Sequence, residues 1–188
     1  MGEIRDKAWR ILKKHVSNDS LIKHCLAVEI AMGAYAEKFG ENREHWGAVG
    51  LLHDVDFEKY PEHHPYHTRE LLETEGYDEE FVNNIESHDR NWMSDRTLLQ
   101  KTLLAVDELT GFIIACALVR PDKSLDNLEV KSVMKKMKDK AFAKAVNRET
   151  IYTSAEAMGV DLREHIQFVI KALSDAAKHP DYQEVPII

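Results

Sequence analysis

Segment after segment, from residue 3 to residue 178, apolar side chains recur every three or four positions, and no period-2 alternation lasts long enough for a strand. A chain patterned this way has one apolar stripe per helix to bury and must bury it against other helices. The expected fold is therefore all-α, a single-domain helical bundle over residues 1–188, with an irregular tail at about 180–188. No linker-like stretch divides the chain, and no internal repeat is present. With 188 residues, 44% of them hydrophobic, the core is large enough to need no disulfide framework.

The start and stop signals place the helices. Residues 3–16 carry Ile4, Ala8, Ile11 and Leu12 on one face, with Trp9 at its edge. Asn18-Asp19-Ser20 caps a second helix whose stripe runs Leu21, Cys25, Val28, Met32, Tyr35 and Phe39, and Gly40 closes it. A third helix runs from near Asn42 to His53-Asp54. Residues 55–65 lose the period and hold Pro61 and Pro65, which predicts a loop rich in histidine and acid. A short helix around Leu71 and Leu72 ends at Gly76, and Asp78 caps another through Phe81, Val82 and Ile85 to near His88. After a turn at Asn91 to Asp95, a long helix runs from about Arg96 to Val119, where Arg120-Pro121-Asp122 stops it. A strongly basic stretch follows at 129–146, then helices over 147–158 and 161–178, ended by Gly159 and Pro180.

The charge of −8 argues against general nucleic-acid binding. The only two cysteines, Cys25 and Cys116, lie in apolar helical patterns and read as buried free thiols of a reducing compartment. The first residues alternate in charge and lack the apolar segment of a secretory signal, Asp6 stands where a myristoylation motif wants serine or threonine, and no apolar run reaches the ~18–20 residues that span a bilayer. A cytoplasmic protein without a membrane partner is expected.

Chemistry concentrates where the run Gly47-Ala48-Val49-Gly50-Leu51-Leu52 ends in His53-Asp54. Two ionisable side chains at the end of a core-facing helix must be paired, neutralised or bound to something. A histidine beside a carboxylate offers a nitrogen and an oxygen to one divalent cation. His24 borders the buried stripe of the second helix, and Asp107 shares a face with Leu103, Gly111 and Ile114. Each alone has a plainer reading, as a surface histidine, a helix-end pair or a carboxylate meeting a lysine. Together His24, His53, Asp54 and Asp107 form a two-nitrogen, two-oxygen set suited to Fe, Mn, Zn, Co or Ni, with positions left for water.

The order Lys23-His24, Gly50-Leu51-Leu52-His53-Asp54, Ser87-His88 and Asp107-Glu108-Leu109-Thr110-Gly111 resembles the HD-domain superfamily of metal-dependent phosphohydrolases, over about residues 20–175. The resemblance implies an all-helical bundle with metal held by His24, His53, Asp54 and Asp107. It implies further that His64 and His88 hold a second metal or a phosphoryl oxygen, that Asp54 and His88 take part in catalysis, and that Mg²⁺ can join the transition metal. The sequence departs from two branches. Asp89 follows His88 with no Gly-Tyr-Pro, and Phe57 stands where the family's nucleoside monophosphatases carry glutamate. That leaves the general acid unassigned, with Asp56 and Glu58 nearby. Lys136, Lys138 and Arg148 of the basic stretch are the candidate phosphate contacts.

The expectation is a phosphohydrolase cleaving a phosphoester or phosphoanhydride of a small molecule, a nucleotide among the candidates, with a homodimer admitted. The alternatives are a di-iron oxygenase of the same superfamily, which requires both His64 and His88 as ligands, and a non-catalytic module that binds metal or ligand.

Overall fold

The computed structural model describes residues 2–89, 91–182 and 185–188. Among these residues it contains nine α-helices and no strand. They are α1 (Glu3–His15), α2 (Asp19–Phe39), α3 (Arg43–Leu52), α4 (Thr68–Thr74), α5 (Glu79–Glu86), α6 (Leu98–Leu118), α7 (Val130–Met137), α8 (Arg148–Ala157) and α9 (Leu162–Ala176). The all-α expectation holds.

The caps explain most boundaries. Asn18 accepts the backbone N–H groups of Ser20 and Leu21, Asn42 that of His45, and Asp78 that of Phe81. Thr97 and Gln100 form a reciprocal capping box at the start of α6, satisfying two donors that the first turn would leave bare. Gly40, Gly76 and Gly159 end α2, α4 and α8 at φ of 75°, 78° and 74°, a left-handed conformation that glycine adopts without a Cβ clash.

Helix α2 is the centre of the bundle. It packs against α3, α6 and α9, while α1 closes over α3 and α8 over α6. Its expected stripe marks only part of its contact surface, because Ile22, Leu26, Ala27, Ile30, Ala31 and Ala36 on its other faces are buried as well. Helix α3 approaches α2 closely at Gly50. A Cβ there would lie 2.9 Å from the Val28 carbonyl oxygen and 2.9 Å from Met32 Cγ. The absence of a side chain at residue 50 is what lets the end of α3 reach the side of α2.

A buried polar link ties three helices. The Tyr35 hydroxyl (α2) lies 2.6 Å from His165 Nδ1 (α9), and His165 Nε2 lies 3.0 Å from the Ala105 carbonyl oxygen (α6). A neutral imidazole satisfies both contacts by accepting from tyrosine and donating to the carbonyl. Burial pushes the His165 pKa below its ordinary value, in keeping with that form.

Some details differ from the sequence reading. Ile4 is exposed, since α1 buries Ala8, Ile11 and Leu12 toward α3 and leaves its first turn at the edge. Helix α9 stops at Ala176, ahead of Pro180, and Pro180–Tyr182 forms a single 3-10 turn. Residues 183 and 184 of the expected irregular tail lie outside the described residues. In the loop after α3, Val55 and Asp56 are buried and residues 57–63 are exposed. Cys25 and Cys116 are buried free thiols. No helix among the described residues is long and apolar enough to cross a membrane.

Candidate metal centre

Six side chains from five parts of the chain converge at one end of the α2–α3–α6 packing. His24 projects from α2, His53 closes α3 with Asp54 immediately after it, and Asp107 comes from the middle of α6. His64 comes from the segment between α3 and α4, and His88 follows the end of α5. His24 Nε2 lies 3.2 Å from His53 Nε2 and 3.0 Å from Asp107 Oδ1, and His53 Nε2 lies 3.4 Å from that same oxygen. On the other side, His64 Nε2 lies 2.8 Å from His88 Nε2. These are two donor groups, His24 with His53 and Asp107, and His64 with His88 and Asp54, each compact enough for one metal ion.

Asp54 stands between them. Its Oδ2 lies 3.6 Å from His24 Nε2 and 3.5 Å from His53 Nε2, while its Oδ1 lies 3.1 Å from His64 Nε2 and 3.9 Å from His88 Nε2. One carboxylate therefore addresses both groups with different oxygens.

Three of the imidazoles are aimed from behind. His53 Nδ1 meets the Gly50 carbonyl oxygen at 2.8 Å and His88 Nδ1 meets that of Ile85 at 2.5 Å, each one turn back along its own helix. A carbonyl can only accept, so Nδ1 carries the proton and Nε2 faces the centre. His64 Nδ1 instead meets a carboxylate, Asp56 Oδ1, at 2.6 Å. Nε2 atoms at 2.8 Å and 3.2 Å from one another cannot meet lone pair to lone pair, so a hydrogen carried by one ring, or a metal ion, must lie between them.

The electrostatics agree with protons filling those places when no metal is present. Burial would drive the His53 imidazolium down, but Asp54 and Asp107 override it and raise its pKa to about 9. Burial also opposes the charge on His64, yet the hydrogen bonds to Asp54 and Asp56 raise its pKa to about 10. His88, buried and beside His53, is pushed down and serves as the neutral acceptor. Burial alone would raise the carboxyls, but Asp54, facing His53 and His64, and Asp107, facing His24 and His53, are both held well below the usual carboxylate range. A nitrogen-and-oxygen set whose charge is balanced only by shared cations fits divalent metal.

The centre floors an open cavity of about 870 Å³. Asn18, Ser20 and Leu21 from the start of α2, Phe57 and Pro61, and Ala145, Val146 and Thr150 form its walls. The three cations expected to contact phosphate are elsewhere. Arg148 donates to the carbonyl oxygens of Ala143, Val146, Asp139 and Phe142 and lies over the Phe112 ring, which holds the loop before α8 in shape. Lys136 lies over the Phe142 ring, and Lys138 is exposed at the end of α7. No lysine or arginine among the described residues lines the cavity. The run of lysines reflects the outward face of α7 and the loop beyond it.

Neither nearby acid is placed as a proton donor. Both Asp56 oxygens are engaged, by His64 and by the His67 backbone N–H at 3.1 Å. Glu58 accepts from the Ser17 hydroxyl and from the Ser17 and Asn18 backbone N–H groups, bonds that lower its pKa and hold it as carboxylate at the entry to α2. One residue escaped the sequence reading altogether. Arg96 donates to the carbonyl oxygens of Ser87 at 2.9 Å and Asp89 at 2.8 Å, clamping the backbone on either side of His88. An arginine just ahead of a helix cap carries no sequence signal for such a role.

Among known proteins, no curated protein and no solved structure matches the chain. The family model of the HD domain matches residues 21–112, a span that holds His24, His53, Asp54, His64, His88 and Asp107. That span of the protein is an HD domain.

Proposed function

We propose that this protein is a metal-dependent phosphohydrolase acting on a small phosphorylated molecule, with two donor groups, both faced by Asp54, that would each hold a divalent cation. The observation that carries the reading is the placement of the two Asp54 oxygens, one toward His24 and His53 and the other toward His64 and His88. His24, His53 and Asp107 would hold the inner cation, and His64 and His88 the outer one. Bound there, such cations lower the pKa of a coordinated water toward ~7 and neutralise charge on a phosphoryl oxygen.

The chain's own groups do the rest. The Nδ1 tethers on His53, His64 and His88 keep their Nε2 atoms aimed before any ligand arrives, so no reorganisation is spent at binding. The negative charge of Asp54 and Asp107 would hold the cations in place against an anionic substrate. Asn18, Ser20 and Thr150 offer neutral hydrogen-bonding groups on the cavity wall for the part of the substrate beyond the phosphoryl group. The volume of about 870 Å³ admits a molecule of nucleotide size, which keeps nucleotides among the candidates.

Metal-stripped protein reloaded with Mn²⁺, Co²⁺, Ni²⁺ or Fe²⁺ is expected to release phosphate from at least one member of a panel of phosphomonoesters, phosphodiesters and nucleotides. A protein that takes up metal and turns over none of them would overturn the reading. A second reading has a specific observation behind it. An O₂-dependent oxidation on two irons requires His64 and His88 to act together, and they lie 2.8 Å apart beside Asp54. Oxygen consumption by the Fe²⁺-loaded protein alone, with no phosphate release under any metal, would favour that reading.

A further inference from the structure

We propose that Asp56 is a positioning residue for the outer cation, fixing the ring of His64 so that its Nε2 faces His88 and Asp54; the assignment rests on the two-cation reading above. His53 and His88 sit at helix ends, where the carbonyl one turn back is available to hold Nδ1 at no further cost. His64 follows only a single 3-10 turn, Pro61–His63, between α3 and α4, and its Nδ1 meets a carboxylate, Asp56 Oδ1, in place of a carbonyl one turn back.

Asp56 fills that role with a geometry the turn itself supplies. The backbone N–H groups of Lys59 and Tyr60 donate to the Asp56 carbonyl oxygen, closing a tight turn just after Asp54. Asp54 and Asp56, two residues apart, then take the His64 ring from its two ends, Asp54 Oδ1 at Nε2 (3.1 Å) and Asp56 Oδ1 at Nδ1 (2.6 Å). The Asp56 side chain is fully buried, and its second oxygen accepts the His67 N–H at 3.1 Å, so the carboxylate cannot swing away. A carboxylate behind an imidazole fixes the tautomer and makes the opposite nitrogen a stronger donor than a carbonyl does. The outer position, built on a loop, thereby gains the orientation that the inner one takes from its helices.

A plainer role competes, in which Asp56 only staples the loop. The test is a Mn²⁺ titration of the metal-stripped full chain, followed by calorimetry and by electron paramagnetic resonance, for wild type, D56N, H64A and the double variant. Wild type is expected to bind two equivalents. D56N is expected to weaken the second by about 10–100-fold while leaving the first within about twofold. In the H64A background, D56N is expected to add nothing, as it must if it acts through His64. Asp56→Glu keeps the charge but misplaces it relative to Nδ1, and it provides the same comparison should D56N fail to fold. Loss of both equivalents together, loss of neither, or an added effect on top of H64A would overturn the assignment. A wild type that binds a single equivalent overturns the two-cation reading itself, whatever D56N does.

Discussion

His53 Nδ1 lies 2.8 Å from the carbonyl oxygen of Gly50, the residue whose missing side chain lets α3 approach α2. Close packing and ligand orientation therefore depend on one residue. Gly50→Ala places a methyl group 2.9 Å from the Val28 backbone oxygen, which cannot move without shifting α2. We expect a loss of about 1–3 kcal/mol in urea unfolding. Because α3 must back away from His24, weaker metal uptake should accompany it, and equal loss of stability with unaltered uptake would separate the two roles.

Asp54→Asn keeps the shape of the bridge and removes its charge. Both donor groups lose their common carboxylate, so metal analysis should find neither cation retained after desalting and phosphate release should fall to background. The nine helices do not depend on this side chain for caps or core, and the far-ultraviolet circular dichroism should match wild type.

The metal-free protein should respond to pH in a definite sense. His53 and His64 rise from an ordinary 6.5 to about 9 and about 10, so the stability they contribute is complete below pH 6.5 and is lost as pH rises through 9 to 10. Asp54 and Asp107 are depressed, so their contribution is present above pH 3.8 and is lost as pH falls below it. His88 and His165 are pushed the opposite way, so their contribution is lost as pH falls below 6.5, and thermal midpoints of the metal-free chain should peak near pH 6.5. Metal must displace the protons on His53 and His64, so affinity should rise with pH up to about 10, and calorimetry in two buffers at pH 7 should register proton release.

Tyr35→Phe removes the hydroxyl that donates to His165 Nδ1 in a region with no access to water. A buried acceptor left bare costs about 1–3 kcal/mol. Chemical denaturation should show that loss, and metal stoichiometry should not change, since the Tyr35–His165–Ala105 link lies apart from the six donors.

Arg148→Ala should cost about 1–3 kcal/mol through the carbonyl groups it leaves unpaired, and should raise KM by loosening Ala145 and Val146 on the cavity wall. Lys136→Ala and Lys138→Ala should leave KM as it is. A large rise in KM with either lysine variant would restore the basic stretch to the substrate site.

The helical period, the caps and the glycine stops were legible because they are local. A 3.6-residue repeat, an Asn18 or Asp78 ahead of it, and a Gly40 after it act within a few residues of one another. His24, His53, Asp54 and Asp107 were legible as a set because each borders a buried face, where an ionisable group needs a partner. What joined them to His64 and His88 was not local. The loop between α3 and α4 carries no period, and only its folding onto the end of α5 brings two histidines within 2.8 Å. The lysines and Arg148 misled for the converse reason: a run of charge states composition, while direction depends on which face of α7 and which loop carbonyls the bundle leaves available. Asp56, Arg96 and His165 fall in the same class. Their roles are hydrogen bonds to groups on other elements, and the long-range packing that brings those groups within 3 Å is decided by the tertiary structure alone.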